Sequence, residues 1–398
     1  MTQSNPGPAR IAVVLSHPTQ YYSPWFQWIA SHTQLRLRVF YLWDFGVTDQ
    51  VDPKFGKPIR WDMDLLSGYD SEFVPNISRN PGAESFRGFD NPDLGRRLSV
   101  WKPDALLVFG YKWLSHVRAI AWGRLHGVPL IFRGDSTLIG RPKQAPHVVI
   151  ALRLLFSQVA AFLYVGSANR DYFARFGVPA RKLFFCPHSV SGKLYNPADG
   201  RNSESALKLR HDLGISPRAT VILFAGKLVP DKQPMALLQA FLELASDDAV
   251  LVFVGDGSEK LALEATAQRS SAVRFLSFAN QTHMPARYMM ADVFVLPSNG
   301  IWETWGLAVN EAMLMGVPCL VSNRVGCQRD LVSDGESGWV FDPEVPEALK
   351  AALGRAISDV RSDVRRKQIR QVVAGRIAGY SYEKSTDGLL EAVAAVLR

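Results

Sequence analysis

Cysteine is scarce in this chain of 398 residues: only Cys186, Cys319 and Cys327 occur. Three scattered thiols in apolar or mixed surroundings exclude a disulfide scaffold and a thiolate zinc site. They read as buried reduced cysteines, which favours a cytoplasmic setting. No long apolar run is present either. The most membrane-like stretch, "HVVIALRLLFSQVAAFLYVG" (147–166), is interrupted by Arg153 and Gln158. It falls short of the ~18–20 apolar residues a spanning helix needs, so it reads as a buried helix running into a strand. The opening "MTQSNPGPAR" has no apolar core and is expected to be a disordered tail over residues 1–10, not a signal peptide. A Walker loop, a Ser-centred elbow and Cys/His pairs at zinc spacing are all missing.

What the chain does have is apolar material, 47% of its residues, with 10 Trp and 22 Phe. Charged residues make up 21%, the balance of a globular protein. The net charge of +8 invites a nucleic-acid reading. Lys and Arg are dispersed, however, and no RNA-binding signature or basic tail accompanies them, so no nucleic acid is expected. Anionic lipid headgroups or phosphorylated ligands account for the sign equally well.

Short β-branched and aromatic runs alternate with helical stretches along the whole chain. In the first half they are 11–15, 37–42, 105–109, 130–132, 162–165 and 183–185. In the second half they are 221–224, 250–254, 274–275, 293–296, 319–321 and 339–341. Most are continuous apolar runs, as a parallel sheet covered on both faces requires. The pattern predicts two doubly wound α/β domains, 11–198 and 199–380. The polar stretch 195–210 reads as their boundary, with a short helix from Leu207 to Leu213. A terminal amphipathic helix over 381–398 is expected to pack back on the first domain. Open parallel sheets bind ligands beyond the carboxyl ends of their strands, so two such domains facing across a cleft suit a two-substrate enzyme.

Three strand exits in the second half carry chemistry. "FAGKLVPDKQP" places Gly226 above a strand and projects Lys227 and Lys232, a pair suited to a diphosphate unless both are solvated loop lysines. "VFVGDGSE" starts like a dinucleotide fingerprint, but the third glycine and the later acidic residue are lacking. That argues against an NAD-dependent oxidoreductase and leaves a turn with room for a nucleotide. "SNGIWETWGLAVNEAM" sets Glu303 on a loop and Glu311 on the early turns of a helix, with Gly306 between them. Main-chain N–H groups at Gly306 and Leu307 favour an anion. A carboxylate beside that anion would repel it, so the two glutamates are better suited to sugar hydroxyls.

These stretches, with "ADVFVLPS" and "DGESGWVFDP", resemble the carboxyl-terminal domain of GT-B retaining glycosyltransferases of family 4, in order over roughly 220–345. The first half resembles the family only in its strand–helix pattern, although "SHPTQYYSPWF" is similar to a bacterial subgroup. The resemblance implies a GT-B fold and a metal-independent transfer from a nucleotide-sugar, most often a UDP-sugar. Lys227 and Lys232 match the pair that stabilises the departing diphosphate. Glu303 matches the residue holding the transferred sugar, and Glu311 the one binding the ribose. Gly226, Gly255, Gly257, Phe278, Gly306 and Leu307 complete the expected donor site.

In many relatives a histidine follows an amino-domain strand near the sugar. The corresponding loop here is "IFRGDS", so Arg133 and Asp135 become candidates. Asp135 could orient the donor, act as a base toward the acceptor, or cap a turn. His17 lies where the family has a glycine-rich diphosphate loop, and either contacts ligand or is satisfied by backbone. Tyr21, Tyr22 and His188 are further acceptor or cleft candidates. Tyr22, Trp25, Phe26 and Ile29 repeat at helical spacing, a stripe read as core or as an apolar acceptor channel. Trp305 stands before Gly306 and is expected to reshape the donor pocket. "DMD" (62–64) fits an Asp-x-Asp metal pattern, but its surroundings read as a first-domain loop, and no metal or other cofactor is expected. A non-catalytic binder or an epimerase of the same fold is the competing reading, although an intact lysine–glutamate set argues against decay of activity. A sugar, a lipid-linked sugar or a small molecule remains open as acceptor, as do peripheral membrane contact and oligomeric state.

Overall fold

The computed structural model describes all residues except 1–6, 49–50, 53–56, 59, 142, 269 and 301. The first six residues of the expected tail lie outside the described residues. Its last residue is not tail at all: Arg10 opens the first strand, bonds Asp104 through its main-chain N–H at 2.7 Å, and lays its guanidinium over Trp101 at 4.9 Å.

The strands in chain order are β1 (Arg10–Leu15), β2 (Arg36–Tyr41), β3 (Val51–Asp52), β4 (Lys57–Pro58), β5 (Asp70–Phe73), β6 (Ala105–Phe109), β7 (Leu130–Arg133), β8 (Ala161–Tyr164) and β9 (Leu183–Phe185). They continue as β10 (Thr220–Ala225), β11 (Ala249–Val254), β12 (Val273–Leu276), β13 (Val293–Leu296), β14 (Cys319–Ser322) and β15 (Gly338–Phe341). Among the described residues they form a seven-stranded sheet, β5-β2-β1-β6-β7-β8-β9, and a six-stranded sheet, β12-β11-β10-β13-β14-β15. Every ladder in both is parallel, with Ile11 opposite Leu37 and Ala105, and Ile222 opposite Leu251 and Val293. Each sheet therefore reverses its winding once, between β1 and β6 in the first and between β10 and β13 in the second. At such reversals the strand-exit loops diverge and leave a crevice.

Two strand pairings escape the apolar-run reading. β3 and β4 form a separate antiparallel ladder, and β5 is a polar edge strand on β2. An edge strand has only one neighbour and tolerates a sequence such as "DSEF".

Helices cover both faces, and their apolar sides complete the cores. Trp25, Phe26 and Ile29 of the helix Tyr22–His32 are buried against β1, β2 and β6, so the stripe is core, each such side chain contributing about 1.5–3 kcal/mol by burial. The terminal helix Tyr382–Val396 inserts Leu389, Ala392 and Val393 into that same core. Its Gly388 lies where an added Cβ would come within 1.9 Å of the Phe185 carbonyl oxygen, so a helix with any larger residue there could not approach β9 so closely.

The stretch read as the domain boundary is mostly helix, and the helix expected from Leu207 begins earlier, at Gly200. Gly200–Asp212 is capped by Asp199, which accepts from the Arg201 N–H at 3.1 Å, and it packs on the helix Met284–Met289. All three cysteines are buried and unpaired. Among the described residues no helix is long and apolar enough to cross a membrane.

Candidate active site

A cavity of about 460 Å³ opens between the two reversals, walled by the exit loops of β10, β11 and β13 and, from the other domain, by His17, Gln20 and Tyr21 of the β1 exit loop with Phe45 and Trp61. Its floor depends on close backbone approach. A Cβ at Gly255 would lie 2.0 Å from the Gly226 carbonyl oxygen, and one at Gly257 would lie 2.3 Å from that of Leu228. Gly226 and Gly255 line the cavity. Gly257, named with the donor site, is not among the cavity's lining residues and lets the β10 and β11 exits touch.

Lys232 sits in the 3-10 turn Pro230–Lys232, and the Asp231 carbonyl of that turn accepts from the Asn299 and Gly300 N–H groups at 3.2 and 3.3 Å. The lysine loop is thereby stitched to the glutamate loop. Lys232 forms an ion pair with Glu303, and Ser298 donates to the same carboxylate oxygen at 2.8 Å. Lys227 and Phe278 line the same cavity. Gly306 has φ +98, and a Cβ there would press Val325 and Leu296 at 2.9 and 3.0 Å. A glycine is thus required where the helix Leu307–Leu314 begins, with Gly306 and Leu307 both at the cavity wall. The first amides of that helix have no partner inside it and present positive ends to an anion.

Glu311 is 3% exposed. Tyr21 donates to its Oε1 at 3.2 Å, and Tyr288 to its Oε2 at 2.7 Å. Burial raises the Glu311 pKa above its ordinary value, an effect that the tyrosine hydroxyls oppose. Burial also drives both phenols well above their usual range, so they remain protonated donors. Tyr21, read as an acceptor or cleft candidate, lines the cavity, and its hydroxyl reaches across the cleft to Glu311. A carboxylate offers about four lone-pair positions, and two tyrosines leave room for a diol. Replacing Tyr21 by phenylalanine is expected to raise the KM for the donor by about fivefold to tenfold, the loss of one hydrogen bond to a charged group, and to leave kcat within twofold. Unchanged KM in steady-state kinetics would show that Tyr21 does not support Glu311.

On the opposite wall, His17 follows β1, with Nδ1 at 3.0 Å from the Ser16 hydroxyl and its ring edge-on to Trp43 and Phe45. It lines the cavity. Asp135 follows β7 and accepts from the Thr304 hydroxyl of the other domain at 2.8 Å. His188 lies 3.8 Å from the same Asp135 oxygen, too far for a hydrogen bond, and is 4% exposed. Burial lowers the His188 pKa, an effect that the neighbouring Asp135 carboxylate opposes. Burial works against the Asp135 charge as well, yet His188 and Thr304 hold that carboxyl below its usual range. The ring of Tyr22 packs on Phe109 at 4.8 Å and faces His188 at 6.1 Å, and burial pushes its hydroxyl up to about 12.

Arg133 does not serve the cleft. It is 2% exposed, donates to the Cys186 and Pro187 carbonyls at 2.7 and 3.3 Å, and is sandwiched by Tyr22 and Trp25. A guanidinium so buried must spend its donors on main chain, and here it braces the loop that carries His188. Trp305 is likewise interior: its indole donates to Asn310 at 2.8 Å and faces His188 and Tyr380, at the junction of the domains. Of the "DMD" pair, Asp62 accepts from Thr282 of the other domain and Asp64 from Leu66 and Ser67. Among the described residues no three metal-ligating side chains cluster. Ser298, Thr304 and Tyr288 went unnoticed in the sequence, where nothing marks a hydroxyl that will be buried against a carboxylate.

Two facing doubly wound domains, with paired lysines and spaced glutamates on one wall of the cleft, define a transferase acting on an activated sugar. Residues 206–374 match the family model described as Glycosyl transferases group 1. A D-inositol 3-phosphate glycosyltransferase of Geodermatophilus obscurus is 30% identical over 82% of this chain and 78% of its own. A Corynebacterium urealyticum enzyme of the same name is 34% identical, over 50% of this chain and 47% of its own. The crystal structure of Anabaena Alr3699/HepE in complex with UDP and glucose has the same fold, with a TM-score of 0.72, 16% identity and coverage of 97% of this chain and 100% of that one. The chain belongs to the group 1 glycosyltransferase family and has the GT-B architecture.

Proposed function

We propose that this enzyme moves a sugar from a UDP-sugar to an acceptor hydroxyl, with retention at the anomeric carbon and without a metal ion, in the assembly of a glycan or glycolipid. The observation that carries the proposal is the arrangement of Lys227, Lys232, Glu303 and Glu311 around one cavity. The bond from the anomeric carbon to the diphosphate oxygen breaks, and negative charge grows on the diphosphate. Lys227, Lys232 and the amides at Gly306 and Leu307 stabilise that charge more in the transition state than before it. Glu303 holds hydroxyls of the transferred sugar, and Glu311, steadied by Tyr21 and Tyr288, holds the ribose. The acceptor oxygen bonds to the same face of the sugar and passes its proton to the departing phosphate oxygen. Asp135, kept ionised and retaining lone pairs beyond the one given to Thr304, aligns a hydroxyl at the cleft's amino-domain side.

The structure of Alr3699/HepE with UDP and glucose supports the choice of donor. The relatives named for D-inositol 3-phosphate support an acceptor bearing a phosphate. Ile150 and Leu154, exposed on the helix Pro146–Ser157 beside Arg153, suit a lipid-borne acceptor met at a membrane face. The test is hydrolysis of UDP-, GDP- and ADP-sugars with and without EDTA, followed by NMR of the released sugar. Release of the α-anomer from an α-linked UDP-sugar, unaffected by chelator, is expected. Strict dependence on a divalent cation would overturn the mechanism, and binding without turnover would mark a non-catalytic protein.

A further inference from the structure

We propose that Trp302 and Arg141 form an acceptor subsite at the cleft rim, a platform for a sugar ring that carries an anionic group. The proposal rests on the donor reading above and extends it to the second substrate.

Trp302 is 66% exposed. A side chain of that size normally buries most of its surface, and a solvent-facing indole beside a reaction centre calls for a ligand. It directly precedes Glu303 in the exit loop of β13. Glu303 lines the cavity assigned to the donor, and Trp302 does not. The indole therefore lies outside the cavity assigned to the donor, one residue from a side chain that lines it.

Its partner comes from the other domain. The Arg141 guanidinium, from the exit loop of β7, lies over the Trp302 ring at 4.4 Å from its centroid. Arg141 is exposed, and among the described residues no carboxylate pairs with it, which leaves its five N–H donors available to an anion. The same two exit loops are tied by the hydrogen bond from Thr304 to Asp135 at 2.8 Å. That bond sits one residue beyond Glu303 and fixes the platform relative to the reacting centre.

The chemistry selects the ligand. The apolar C–H face of a pyranose packs on an indole, and a guanidinium pairs in two-pronged fashion with phosphate or carboxylate. Such a group could belong to a free sugar phosphate or to a lipid-linked one, whose recognition by this pair would be the same.

The experiment is calorimetric titration of the full chain, saturated with UDP, with glucose, glucose 1-phosphate and the dodecyl ester of glucose 1-phosphate. Wild type is expected to bind glucose 1-phosphate at least about tenfold more tightly than glucose. Trp302→Ala should weaken all three probes by about tenfold, and Arg141→Ala should abolish the preference for the phosphate. Arg141→Lys should restore part of it. Both alanine variants should melt as wild type does and bind UDP within twofold of it, since neither residue lines the donor cavity. A stronger response to the dodecyl ester assigns the lipid-linked source, and an equal one the free sugar phosphate. Variants that bind the probes as wild type does, or a wild type that binds none or shows no preference, overturn the subsite. Loss of UDP binding in wild type would instead strike at the donor assignment.

Discussion

Replacing Lys232 by alanine is expected to lower kcat by about 10²–10³ while the melting temperature falls by no more than a few degrees. The ammonium group lies on the Glu303 carboxylate at the edge of the cavity, in a loop held by main-chain bonds from Asp231 to Asn299 and Gly300. Those bonds survive the substitution, so the loop keeps its shape and Ser298 keeps its bond to Glu303. What disappears is a fixed positive charge beside the proposed position of the departing diphosphate. Such a charge contributes most when the glycosidic bond is stretched, so kcat should fall more than KM rises. Lys232→Arg should recover part of the rate, because it restores charge in a different geometry. Turnover within a few-fold of the parent in Lys232→Ala would remove this lysine from the mechanism.

Much of the architecture was legible because burial on both faces of a parallel sheet leaves a plain mark: β6, β11 and β13 are unbroken apolar runs, and β1 and β10 are so after their first residue. The glutamates and lysines were legible for a different reason. Each lies in a strand's exit loop or on the helix that follows it, where local sequence fixes position. Three kinds of feature left no such mark. β5 is an edge strand whose polar residues face solvent, so its periodicity is silent. The helix Gly200–Asp212 carries little apolar surface, and its stability comes from its cap and from packing on another helix. Cross-domain contacts are the third. Tyr21 and Glu311 are 290 residues apart, and Asp135 and Thr304 are 169 apart. No local pattern encodes such pairings. Arg133 shows the converse, for a basic residue at a strand's carboxyl end resembles a ligand contact until its donors are found on the Cys186 and Pro187 carbonyls.

The ion pair between Lys232 and Glu303 also raises a question that a double-mutant cycle answers. Glu303→Ala should cost turnover by about the same 10²–10³, since in the proposed mechanism it removes the acceptor for hydroxyls of the transferred sugar. If the lysine serves the diphosphate and the glutamate serves the sugar ring, they act on opposite sides of the breaking bond. The losses should then multiply, and the double variant should fall by about 10⁴–10⁶. If the two side chains matter only by holding each other, either single change already destroys the unit, and the double variant should be no slower than the worse single. Stability should behave in the opposite manner. Each single variant strands one charged partner, whereas the double variant strands neither, so its destabilisation should be smaller than the sum of the singles by about 1 kcal/mol. Multiplying rate losses together with sub-additive stability losses would establish two separate tasks for residues that, before substrate arrives, neutralise one another. A double variant as active as the singles would instead make the ion pair itself the functional element, and the division of labour between diphosphate and sugar would have to be abandoned.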